Sequence, residues 1–254
     1  MKLLFKSRFT APLVALLVLT ACGGSSTPPA APEPAPPPPP PPPVADATFE
    51  VSVTNLTLAQ PLSPVAVMFH RAGFNSFIDG ETSSLALELL AEGGDNTDVL
   101  GEVAAATEHL ASGSTAGPVP PSAFSDVVTL SFPSDQLDDV RLSVITMLVH
   151  TNDAFSGMNA TNISNMEVGQ SITFTGPTWD AGTEANDELG VSMPGPDFGG
   201  EGFNPNRDDR LDLVRFHQGV VTSASVESGL ASSSLVERHR FDNPTTRITV
   251  TRTE

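Results

Sequence analysis

The chain has 254 residues, with 30 Asp and Glu against 12 Lys and Arg, giving a formal charge of −18. A polyanion of this size does not bind nucleic acid or anionic lipid through its overall field; it favours divalent cations, or a salt-rich medium in which acidic surfaces stay soluble. One cysteine excludes an intramolecular disulfide, so stability has to come from a packed core and, where carboxylates gather, from a metal ion.

The first residues read as an export signal. Lys2, Lys6 and Arg8 form a basic start, and Leu13 to Leu19 is an apolar stretch shorter than the ~20 residues a membrane helix needs. Leu19-Thr20-Ala21-Cys22 matches a bacterial lipobox, which predicts cleavage after residue 21 and lipidation of Cys22. Removing the signal leaves nine arginines and no lysine against 30 acids, a formal charge of −21. Gly23 in place of an Asp favours the outer membrane in a Gram-negative cell, with the domain either periplasmic or surface-exposed. Acyl chains on Cys22 each contribute about 0.8 kcal/mol per buried CH₂, so the anchor requires no protein span.

Residues 22–46 form a linker containing eight consecutive prolines, Pro36 to Pro43. Proline fixes φ and lacks an N–H, so this run is expected to be polyproline II, a semi-rigid arm of roughly 50 Å from Pro28 to Pro43. A proline-rich ligand for a partner domain is the alternative use. Residues 47–254 are then one domain.

Within it, Phe49, Val51 and Val53 alternate with polar residues as a half-buried strand over Thr48 to Leu58. Two prolines in Gln60 to Pro64 imply an edge or bulge, and Val65 to Phe69 resumes as a strand. Thr82 or Ser83 caps one short helix ending at Gly93-Gly94, with Leu85, Leu87, Leu89 and Leu90 as its inward face. Asp95 to Ala116 reads as acidic, small-residue loop. Strands follow at Val127 to Phe132, Val140 to Val149, Ser171 to Thr175, Leu211 to Val221 and Thr246 to Arg252. Turn signals between them predict an all-β fold, an antiparallel sandwich or barrel of about eight strands with one short helix.

Two short segments stand out chemically. Thr151-Asn152-Asp153-Ala154-Phe155 follows the strongest strand, and Trp179-Asp180-Ala181-Gly182-Thr183-Glu184 lies about 27 residues further on. The second is too polar for core, and its glycine permits a tight bend that points Asp180 and Glu184 at one spot. Like charges that close repel unless a hard cation takes their oxygens, and calcium accepts 6–8 oxygens in flexible geometry.

In order and spacing these segments resemble the spondin domain, the amino-terminal module of F-spondin and mindin. That family reads Ser/Thr-x-Asp-x-Phe-x-Gly followed by Asp-Ala-Gly-Thr-Asp/Glu; here Thr151 to Gly157 supplies the first, with Asn152 in place of the usual Pro. Gln60 to Val65, Leu89 to Asp95, and Asn243-Pro244 leading into Ile248 to Arg252 extend the likeness from about Thr48 to the end. The resemblance implies a C2-like antiparallel β-sandwich binding one calcium ion, with Asp153, Asp180 and Glu184 as side-chain ligands. It also implies a recognition or adhesion module for a protein or glycan ligand, with no catalysis. Glu184 stands where the animal proteins carry Asp. Backbone oxygens of Asn152 and Ala181 are candidates for the remaining positions.

Other constellations are weaker. Asn204-Pro205-Asn206-Arg207-Asp208-Asp209 opens like an EF-hand loop but lacks its central Gly and carries Arg215 where the bidentate Glu belongs, so a solvated acidic loop is expected. His70, His109, His150, His217 and His239 form no zinc pattern, and no Gly-x-Ser-x-Gly elbow is present. Arg238-His239-Arg240, the one basic cluster, reads as an ion-paired strand end, with an anchor for an acidic partner as the alternative. A structural lipoprotein tethered to the cell wall and a calcium-dependent hydrolase remain as alternative functions.

Overall fold

The computed structural model describes residues 40–225 and 232–254. The expected signal segment 1–21, the lipidation site Cys22 and the linker as far as residue 39 lie outside those residues. Residues 43–254 form one compact unit. Its elements in chain order are β1 (Asp46–Asn55), β2 (Ala66–His70), α1 (Leu85–Gly93), α2 (Thr97–Ala105), β3 (His109–Ser114), β4 (Val128–Pro133), β5 (Arg141–Met147), β6 (Ala154–Asn162), β7 (Ser171–Gly176), β8 (Thr178–Asp180), β9 (Arg215–Phe216) and β10 (Thr246–Arg252). Two antiparallel sheets result, one in the order β4-β1-β10-β7 and the other β3-β2-β5-β6-β8-β9. The all-β expectation holds, with ten strands rather than about eight and two α-helices rather than one among the described residues.

The main core lies between the sheets. Phe49 and Val51 of β1, Phe132 of β4, Ile248 and Val250 of β10 face Val67 and Phe69 of β2 and Leu142 and Val144 of β5. Phe49 sits 5.1 Å from Phe69 and 5.6 Å from Phe132 between ring centroids, an aromatic cluster at the centre of the sandwich. Burial of each such ring contributes about 2–3 kcal/mol.

Strand β2 is buried at every position because the six-stranded sheet is covered on both faces. Its Ala66 and Met68, with Ile145 and Phe155, point away from the sandwich core into a second core built on α1 and α2. Those helices bring Leu87, Leu90, Val99 and Val103. The second helix falls in the stretch read as loop: Val99 and Val103, one turn apart, are its two buried residues, too narrow a stripe to register against its small neighbours.

Helix α1 is capped by Ser84, whose hydroxyl accepts the Leu87 N–H at 3.2 Å, and closes at Gly94 with φ of +72°. Its inward face differs from the expected leucine row. Leu85 is exposed and Leu89 half-buried, whereas Glu88 and Glu92 are buried beside Leu87, Leu90 and Ala91. Two acids one helical turn apart on an inward face require partners, and these stand in the loops that follow β8.

Candidate metal centre

Asp153 ends the connection from β5 and immediately precedes β6, while Asp180 closes β8. Strands β6 and β8 pair antiparallel with Ala154 opposite Asp180, so the two acidic segments meet at the same end of adjacent strands. The Ala181 N–H donates to the Asp153 carbonyl at 3.2 Å, continuing the ladder. Beyond it the chain turns at Gly182, with φ of +75° and Leu213 packed so tightly that an added Cβ would lie 2.4 Å from the Leu213 nitrogen. Only glycine fits that approach.

This bend wraps around the Asp153 carboxylate. Asp153 Oδ2 accepts the N–H groups of Thr183 at 2.7 Å and Glu184 at 3.1 Å, and the Thr183 hydroxyl at 3.3 Å. Its other oxygen, Oδ1, is buried and meets no donor. Glu184 Oε2 is likewise buried without a partner. So is Oε1 of Glu92, which reaches the same neighbourhood from the last turn of α1; its Oε2 accepts the Asn204 N–H at 2.8 Å. Three naked carboxylate oxygens at one end of a sheet are a large desolvation cost, and a cation is the partner such oxygens lack.

The electrostatics agree. Burial, then the neighbouring Asp180 charge, pushes the Asp153 carboxyl up to about 7 despite the Thr183 and Glu184 N–H groups that oppose it. Glu184 is pushed up to about 9, by burial first and then by the charges of Glu92, Asp153, Asp208 and Asp187. Burial also raises Glu92, against the Asn204 N–H. Without an ion Asp153 and Glu184 hold protons near neutrality; a divalent cation would displace them.

Burial raises the Asp180 carboxyl as well, but its oxygens are partnered. Its Oδ1 accepts the Gly182 N–H at 2.9 Å, and its Oδ2 takes Asn186 Nδ2 at 2.8 Å and an Arg215 guanidinium N–H at 2.9 Å. Arg215 also holds Asp209 at 2.6 Å. The arginine that disqualified the EF-hand reading is therefore the counter-ion of Asp180, placed opposite it in the β8–β9 pair. The acidic loop is exposed at Asn206 and Asp208, as expected of a solvated segment, and is also tied to its neighbours: Arg207 Nε donates to Glu88 at 2.9 Å, and Asp208 accepts the Ala185 N–H at 2.8 Å. The Ala181 carbonyl already accepts the Ser83 hydroxyl at 2.6 Å, which leaves it one further lone pair. Beside the Asp180–Arg215–Asp209 group opens a cleft of about 340 Å³ lined by Ala185, Asn186, Asp209, Arg210 and Arg215.

The structure sets the two acidic segments side by side, and it adds a buried acid that the sequence did not single out, Glu92. The signal was present: Glu88 and Glu92 recur at a spacing of four within a leucine-rich helix, the positions that share one face.

A second cluster arises from residues too far apart to read as a motif. His150, Asp197 and His239 offer atoms within 4.8 Å of one another, the one such trio among the described residues. Its hydrogen bonds argue against a prepared metal site. His150 Nδ1 is bonded to the Ala59 carbonyl at 3.1 Å, which leaves Nε2 as an unpartnered lone pair. His239 Nδ1, however, accepts the Val236 N–H at 3.0 Å, and the Arg238 Nε–H points at its Nε2 from 3.4 Å, so neither nitrogen is a free lone pair for a metal. Arg238 also places its guanidinium 3.5 Å from Asp197, supplying the positive charge that a cation would. His217 is buried with Nδ1 accepting the Gly219 N–H at 2.9 Å, and burial pushes it down to about 4, a neutral structural imidazole.

An aromatic shelf completes the region. Trp179 stacks on the exposed ring of Phe216 at 4.2 Å, and with Phe77, Ile78 and Asp79 it lines a cavity of about 480 Å³. No helix among the described residues is long and apolar enough to cross a membrane. No protein-family model matches the chain, and no curated protein sequence matches it.

Proposed function

We propose that the chain is a calcium-binding recognition and adhesion module of spondin type, with a C2-like arrangement of its two sheets, held at the cell envelope by lipidated Cys22. The observation that carries the calcium reading is the pair of buried carboxylate oxygens without donors, Asp153 Oδ1 and Glu184 Oε2, brought together from two loops. All-oxygen, carboxylate-rich donor sets suit a hard cation, and with few protein ligands the remaining positions fall to water or to a ligand's hydroxyl and carboxylate oxygens. Asp180, the third residue implied by the spondin resemblance, contributes to the same acidic cluster while paired with Arg215.

The ion's first task is structural. It offsets the repulsion among acids that otherwise hold the β6 and β8 loops together only when protonated. Its second is recognition: the Trp179–Phe216 shelf lies on the same strands, so a protein or glycan ligand can stack on the rings.

Titration calorimetry of the purified protein with calcium tests the reading. One saturable site is expected, with heat that depends on buffer because protons leave Asp153 and Glu184. Absence of saturable binding, together with unfolding indifferent to chelator, rejects it.

A further inference from the structure

We propose that Glu92 Oε1 is the third carboxylate ligand of the calcium ion, and that Asp180 positions the site through Arg215 rather than touching the metal. The inference rests on the calcium reading and specifies its ligand set.

Glu92 is fully buried, and a fully buried carboxylate oxygen without a donor is a rare and costly feature. Its second oxygen is fixed by the Asn204 N–H, so the side chain is oriented rather than free to seek water. The charge that acts most on Glu184 is Glu92, ahead of Asp153. The Thr183 hydroxyl stands between the two acids, 3.3 Å from Asp153 Oδ2 and within reach of Glu92, linking them through one residue. Each of Glu92, Asp153 and Glu184 thus keeps one oxygen unpartnered and one side of the carboxylate anchored or free to adjust.

Asp180 lacks that property, because each of its oxygens already has a donor and one of them carries a guanidinium. A dication on that oxygen would sit beside Arg215 and be repelled by it. Oxygens on opposite sides of a calcium ion lie roughly 4.6–5.2 Å apart at bond lengths of 2.3–2.6 Å. No acid trio among the described residues has ligand atoms all within 4.8 Å, so binding has to draw the three carboxylates, one from α1 and two from loops, inward. Closure of this kind would fasten α1 to the ends of β6 and β8. The ion then bridges the helical layer and the sheet, rather than clipping two sheet loops alone.

The sole tryptophan, Trp179, adjoins the site and sensitises terbium luminescence, so the test is optical. Terbium binding and its displacement by calcium are measured on the full protein and on Glu92→Gln, Asp180→Asn and the double variant Asp180→Asn with Arg215→Gln. Glu92→Gln keeps the side-chain shape and an acceptor for the Asn204 N–H; far-UV circular dichroism checks that it folds. It is expected to lose at least tenfold in calcium affinity and to unfold at a higher temperature than the wild type in chelator, because a buried acid is gone. Asp180→Asn leaves the Arg215 charge balanced by Asp209 alone and is expected to lose affinity that the double variant restores to within tenfold of wild type. A loss below tenfold for Glu92→Gln, or a double variant that stays as weak as Asp180→Asn, overturns the assignment while the calcium reading stands. Failure of the wild type to bind either ion overturns both.

Discussion

The backbone N–H of Thr183 donates to Asp153 Oδ2 at 2.7 Å, across thirty residues of chain. This bond makes one acid the centre of the bend carrying another, so the geometry of the two loops is not independent. Whatever binds Asp153 is felt at Glu184, and the consequences can be measured.

Calcium removal is the simplest test. An ion present at about a hundredfold excess over its Kd adds about 2.7 kcal/mol to the folded state. For a domain of about 200 residues this corresponds to roughly 5–10 °C in Tm. Differential scanning calorimetry in calcium and in EGTA is expected to show a downward shift of that size on chelation.

The pH dependence of the ion-free protein carries a defined sign. Asp153 at about 7 and Glu184 at about 9 are raised above their unfolded values near 4, so the folded state binds more protons. Their contribution is fully present below about pH 4 and is lost as pH rises through the folded values. His217, lowered to about 4, acts in the opposite sense, losing its contribution as pH falls from about 6.5 toward 4. Urea unfolding in EGTA between pH 6.5 and 9.5, where His217 is silent, is expected to show stability falling with pH. Saturating calcium is expected to flatten that slope.

Substituting Gly182 tests the bend itself. Alanine there combines a left-handed φ with a collision against the Leu213 backbone, and its cost is expected to be about 2–4 kcal/mol. Urea titration reads the loss, and calcium affinity is expected to fall with it because the Thr183 and Glu184 N–H groups leave Asp153.

How much of this was legible in the chain differs by element. β1, β5 and β10 were readable because apolar residues in them are frequent and β-branched. β8 has three residues and β9 two, below any periodicity, and β6 begins directly after Asp153 in a segment read as loop. The convergence of Asp153 with Asp180 and Glu184 was legible from local chemistry. The engagement of Asp180 by Arg215 was not, since it depends on a pairing across 35 residues that only the sheet order creates. Glu92 escaped for a similar reason: an acid in a helix is ordinarily solvated, and its burial follows from which loops cover α1.

Arg215→Gln tests the guanidinium's role in isolation. The Asp180 side chain is buried and Arg215 is partly exposed, so loss of the charge is expected to cost about 2–3 kcal/mol, somewhat below a fully buried pair. The penalty is expected to shrink when pH is lowered far enough to protonate Asp180, which chemical denaturation at pH 4 and pH 7 compares.

The six-stranded sheet ends in β9, a strand of two residues. So short a rim exposes few open peptide groups, and Arg215 on it carries charge, so it makes a poor template on which a second chain could grow. For molecules crowded side by side on one surface, that truncation guards against fibril-like stacking between neighbours.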